Sequence, residues 1–108
     1  MIRAFAWAAA LIAAPVVASA QPAELDGREL FHHKCGMCHE PGGMGAGLLA
    51  RRIQPAELEK RSNLSPDYVF RYARGGLGNM PPIPPGDVSD TQLKAIAAYL
   101  AAGPHGGR

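Results

Sequence analysis

The stretch Cys35-Gly36-Met37-Cys38-His39 decides how the rest of this 108-residue chain is read. Two cysteines three positions apart in one helical turn present their thiols to the same side. Each thiol can form a thioether to a vinyl group of one porphyrin, and the histidine that follows then stands under the iron. Cys-x-x-Cys-His is accordingly the attachment signature of c-type haem. Two other readings use the same residues. A thioredoxin-like dithiol normally lies near a βαβ pattern, and no strand pattern occurs in this sequence. A zinc site would take Cys35, Cys38, His39 and either His32 or His33, since structural zinc favours Cys and His ligands. With no second cluster downstream, however, zinc would pin only one loop, and one covalently bound haem c is the stronger reading.

Upstream, Met1–Ala20 reads as an export signal. Arg3 supplies the positive n-region, residues 4–17 are almost wholly apolar, and Ala18-Ser19-Ala20 forms an Ala-x-Ala cleavage site. The apolar run is short for a membrane span and is broken by Pro15. Cleavage before Gln21 leaves 21–108 as one domain, exported to the periplasm, with no stable membrane insertion and no cysteine at the cleavage site to carry a lipid.

Eleven Lys and Arg face nine Asp and Glu, and removal of Arg3 leaves the chain close to neutral. That balance excludes a basic stripe for nucleic acid and a polybasic membrane patch. After the signal the lysines are Lys34, Lys60 and Lys94, too few for docking by strong opposite charge, so a more apolar contact face is expected. A domain this small is marginal on its own core, and a buried haem would add the apolar mass it lacks.

Downstream of the motif the elements follow from local signals. A first helix is expected over Asp26–Cys38. Pro41-Gly42-Gly43-Met44-Gly45-Ala46-Gly47 reads as a loop, and Gln54–Asn63 as a short helix starting at Pro55. Ser65-Pro66-Asp67 starts a helix with an N-cap, a first-turn proline and an acidic residue at the positive dipole end. That helix carries Val69, Phe70, Tyr72 and Ala73 on its haem side and stops at Gly75-Gly76. Ser89-x-x-Gln92 is a capping box, and Leu93, Ile96, Ala97 and Leu100 form one buried face. Gly103-Pro104 ends the final helix, and a frayed tail follows. Between these helices Met80 sits among glycines and prolines, with no helix to pack on. The stiffness of Pro81 to Pro85 would hold its thioether in place, which makes it the candidate second iron ligand opposite His39. Met37 lies within the attachment turn, and Met44, close behind His39, is the remaining alternative.

Together these parts resemble the class I c-type cytochromes over Gly27 to Leu100. Gly27-x-x-x-Phe31 comes first, then the attachment motif, a glycine-rich loop, Met80-Pro81 and a final amphipathic helix. The resemblance implies an all-α small cytochrome c fold, three to five helices wrapped around one covalently bound haem c. Gly27 would permit close crossing of the first and last helices, with Phe31 and Tyr99 at the contact. Ala46 stands where the family commonly has a proline whose carbonyl accepts from the second nitrogen of the ligand histidine. Arg51 is placed by the family pattern to contact a haem propionate, which suits the forked guanidinium. Cys35 and Cys38 would carry the haem, and His39 and Met80 would be its axial ligands.

His/Met ligation saturates the iron and raises its potential, so the implied function is a periplasmic one-electron carrier and not an enzyme. The alternative is a haem c enzyme or ligand sensor with an open axial site, should Met80 not be bound. A narrower likeness runs through Cys-Gly-x-Cys-His, Gly43-Met44-Gly45, Arg74-x-Gly76, Met80-Pro81 and Val88-Ser89-Asp90. These runs are similar to the small cytochrome subunits of p-cresol methylhydroxylase-type flavocytochromes. That likeness implies redox protein partners, a flavoprotein dehydrogenase among them as electron donor.

Overall fold

In the computed structural model, residues 8–16 and 25–106 are described. Residues 8–16 form no helix or strand and leave Leu11, Ile12 and Val16 exposed. The expected cleavage site, Ala18-Ser19-Ala20, lies outside the described residues.

The first helix, α1 (Gly27–Lys34), begins where the Asp26 carboxylate accepts from the Glu29 amide at 2.9 Å. It ends earlier than the sequence suggests. At Cys35 the backbone leaves the helix (φ −119°, ψ −20°), and α2 (Gly36–His39) restarts from the Cys35 carbonyl, which accepts from the His39 amide at 3.0 Å. The expected single helix over Asp26–Cys38 is therefore two, broken next to Gly36, where helix propensity is weakest. The glycine run that follows is not a plain loop either. Gly43 caps α3 (Met44–Leu49), which packs on α2 through the face that carries Gly45. A Cβ on Gly43 would come within 2.5 Å of the Cys38 carbonyl oxygen, and one on Gly45 within 2.8 Å. Close backbone packing overrides the poor propensity here.

Only a 3-10 turn, Leu58–Lys60, forms in the segment expected to be a helix from Pro55. Glu57 before it is extended and offers no side-chain cap, so the chain has no helix start at that point. The next helix, α4 (Pro66–Gly75), starts as the sequence indicates, with the Ser65 hydroxyl accepting from the Tyr68 amide at 3.2 Å. Gly76, at φ +76°, ends it. The last helix, α5 (Asp90–Ala101), carries both bonds of the expected capping box, between Ser89 and Gln92.

Both α1 and α4 pack on α5. Leu30 and Phe31 meet Leu93, Ile96 and Leu100, with Leu64 and Val88 closing the cluster. The crossing of α1 and α5 depends on Gly27, because a Cβ there would run into the Ala95 carbonyl oxygen and come within 2.8 Å of Tyr99 Cβ. Phe31 is fully buried beside the crossing, its ring 6.2 Å from that of Tyr99. Among the described residues there is no strand; a single bridge pairs Leu77 with Met80. The architecture is all-α, as expected.

The last described residues depart from expectation at His105. His105 stacks on Tyr99 with ring centroids 4.0 Å apart, its amide donates to the Glu59 carbonyl at 2.7 Å, and its Nε2 lies 2.6 Å from the Tyr99 carbonyl. Through Gly106 the tail is docked rather than frayed, because one imidazole supplies both a stacking face and a polar edge.

Candidate functional site

The break between α1 and α2 sets the chemistry of the motif. Cys35 is half-buried at the junction, whereas Cys38 is exposed, and both are free thiols. Burial, with a smaller contribution from neighbouring Cys38, pushes the Cys35 thiol up to about 11. His39 closes α2, and burial alone pushes its pKa below the ordinary histidine value. Its Nδ1 is buried with no hydrogen-bond partner among the described residues. A neutral imidazole keeps a lone pair for a metal, which is the ligating form. Two free thiols and an unpartnered imidazole on one turn fit a haem held by two thioethers and one axial nitrogen.

The bond that the resemblance would place between His39 and the Ala46 carbonyl is not formed among the described residues. Ala46 lies in α3, and its carbonyl accepts from the Ala50 amide at 3.0 Å. Helix formation by the glycine run has turned that acceptor along the helix axis.

Around His39 the structure gathers a polar belt. Arg28, His32, Glu59, Tyr99 and His105 line a cleft of about 180 Å³ with it. His32 pairs through Nδ1 with Glu40 and lies 3.4 Å through Nε2 from Glu59, which also accepts from the Tyr99 hydroxyl. A second cleft, about 510 Å³, runs between α3 and the Gln54–Glu57 segment. Neither cleft includes Met80 or Arg51. Among the described residues no group of three or more His, Cys, Asp or Glu is arranged to hold a metal ion. The cysteines and histidines of the motif region are thus not gathered as a zinc site would require.

Met80 lies half-buried in the turn after α4, where Leu77 and Met80 exchange amide-to-carbonyl bonds of 3.1 and 3.0 Å. A Cβ on Gly76 would meet the Met80 carbonyl oxygen at 2.8 Å and Pro82 N at 2.9 Å, so glycine admits this segment against the end of α4. The Ile83 amide then donates to the Ala73 carbonyl at 2.8 Å. Arg74 completes the contact: Nη1 donates to the Ile83 carbonyl at 3.0 Å and Nη2 to Asp90 at 2.6 Å, with the guanidinium 5.4 Å from the Phe70 ring centre. Arg74-x-Gly76 enters the narrower likeness above, which gives Arg74 no task of its own. Arg74 four positions after Phe70 was the available signal. Arg51, in the turn after α3, is exposed.

Residues 22–100 match the family described as cytochrome c oxidase, cbb3-type, subunit III. The chain belongs to this family. It is a small c-type cytochrome subunit, and its cofactor class is c-type haem. The cytochrome is also similar to the cytochrome c subunit of 4-cresol dehydrogenase [hydroxylating] from Pseudomonas putida. The two are 32% identical over 79 residues, which cover 72% of this chain and 60% of that protein. This cytochrome therefore aligns with about 60% of the length of the curated relative it matches. No solved structure matches it. Among the described residues, no helix of the cytochrome is long and apolar enough to cross a membrane.

Proposed function

We propose that this cytochrome is a periplasmic one-electron carrier whose single haem c is attached through Cys35 and Cys38, with His39 and Met80 as axial ligands. Residues 1–20 are the export signal in this reading, and 21–108 the cytochrome domain. The observation that carries the proposal is the attachment turn itself, with two cysteines outside any disulfide followed by an imidazole whose Nδ1 is buried without a hydrogen-bond partner among the described residues. When bound, the haem supplies ferric/ferrous exchange. The chain's own contribution is to position and to shield. The α1/α2 break holds Cys35 half-buried while Cys38 is exposed, and burial favours the neutral form of the His39 imidazole. The fixed turn at Leu77–Met80 limits the positions open to the thioether sulfur, and a soft sulfur ligand favours the ferrous state. Arg51, exposed beyond α3, is the donor offered to a propionate.

The electron donor in this reading is a dehydrogenase, which the likeness to a 4-cresol dehydrogenase cytochrome c subunit supports, and a flavoprotein is the class that the resemblance to the p-cresol methylhydroxylase-type cytochromes implies. Exposed Met37 and Met44 flank the exposed Cys38 in sequence and supply the apolar contact expected of a chain with few lysines.

The visible spectrum of protein matured in a periplasm tests the ligation. A weak far-red ferric band of the kind given by sulfur-ligated haem should be present, should disappear in Met80→Ala, and should accompany a ferrous protein that does not take up carbon monoxide. A red protein without the band, taking up carbon monoxide readily, would move the assignment to a haem enzyme or sensor with an open axial site.

A further inference from the structure

We propose that Arg74 is the positioning residue for the axial methionine: it ties the Met80–Ile83 segment to α4 and α5 at once. This rests on the assignment of Met80 as a ligand. The segment has few other anchors. Pro81 and Pro82 carry no amide hydrogen, so between the Leu77–Met80 turn and Ile83 the chain has no backbone donor. Past that gap, the Ile83 amide bonds to Ala73, and the carbonyl of the same residue receives Arg74 Nη1 at 3.0 Å. The other arm of the guanidinium reaches Asp90, the first residue of α5, at 2.6 Å. The Arg74 side chain is 17% exposed and its plane lies near Phe70, so it has little freedom to turn away. A planar fork can serve two acceptors held at a fixed separation, whereas an ammonium is a point charge on a flexible stem. The Met80 backbone is held separately, by its two bonds with Leu77. One side chain thus sets the distance of the methionine segment from the helix that packs on α1.

The test uses holoprotein carrying Arg74→Lys, with Asp90→Asn as a milder variant that retains the Ile83 bond, and far-ultraviolet circular dichroism to verify helix content. Amide exchange at Ile83 reports the tether independently of iron ligation, and the far-red band with carbon monoxide uptake reports the ligand. Arg74→Lys should speed exchange at Ile83 by roughly tenfold or more, as expected for loss of a charge-assisted bond. It should also weaken the far-red band and admit carbon monoxide, with Asp90→Asn intermediate on each readout. Unchanged exchange at Ile83 in Arg74→Lys would overturn the tether. Faster exchange with an intact band and no carbon monoxide uptake would overturn the positioning role while leaving Met80 ligation standing. A wild-type protein without the band would instead remove the Met80 assignment and this role with it.

Discussion

At the scale of single residues, the two cysteines of the motif are unequal before any haem is attached. Cys35 is half-buried with its thiol pushed up to about 11, and Cys38 is exposed. Only the thiolate is nucleophilic. A rise from 9.0 to about 11 removes most of the Cys35 thiolate at pH 8, by about a hundredfold. Iodoacetamide should therefore label Cys38 of the apoprotein well ahead of Cys35 at pH 8, with the gap narrowing as pH approaches 11. Mass spectrometry of the labelled peptides reads the ratio, and equal rates at pH 8 would mean that Cys35 is not buried before attachment. The linkage runs the same way. Between pH 9 and about 11 the unfolded chain loses this proton while the folded one keeps it. The contribution to stability is full below that window and is lost as pH rises through it.

Helix α3 shows, at the scale of an element, why the glycine run misleads. Gly43-Met44-Gly45-Ala46-Gly47 has the composition of a loop, and propensity alone argues for one. Its glycines are not equivalent, however. Gly45 faces the Cys38 carbonyl so closely that a Cβ would lie 2.8 Å from the oxygen, whereas Gly47 has nothing within 4 Å. Gly45→Ala should destabilise the holoprotein by about 1–3 kcal/mol through overpacking of backbone on backbone. Gly47→Ala should stabilise it by about 0.5–1 kcal/mol, since an exposed helix position gains from losing glycine. Guanidinium unfolding followed by helix signal distinguishes the two signs. A matching loss in both variants would show that α3 is not helical in solution. The Ala46 carbonyl does not meet His39 for the same reason, since it lies in a helix where the family resemblance implies a loop.

For the whole molecule, the protein core is thin. The cluster built from α1 and α5 has Phe31, Leu93, Ile96 and Leu100 as its largest fully buried side chains among the described residues, while α4 has no fully buried residue. Val69, Phe70 and Ala73 of α4 and Ile83 after it are only partly buried. Chains of this size obtain little stability from such a core. The Cys35→Ser/Cys38→Ser double variant, which cannot form the thioethers, should have no more than about 5 kcal/mol of unfolding free energy. The loaded protein should unfold at a clearly higher guanidinium midpoint, and coincident midpoints would show that the polypeptide core suffices without its group.

What the sequence determined by itself was whatever rests on short-range chemistry. The spacing of Cys35, Cys38 and His39, the Ser65 and Ser89 caps, the period of Leu93, Ile96, Ala97 and Leu100, and the stop at Gly76 are each complete within a few residues. The close crossing at Gly27 was also legible, though through a family resemblance. Tertiary structure decided the rest, because those features depend on partners far along the chain. The glycine run forms a helix because α2 packs against its Gly45 face. His105 is docked because it finds Tyr99 and Glu59. Arg74 has its place because the Ile83 carbonyl and Asp90, nine and sixteen positions away, meet at one guanidinium.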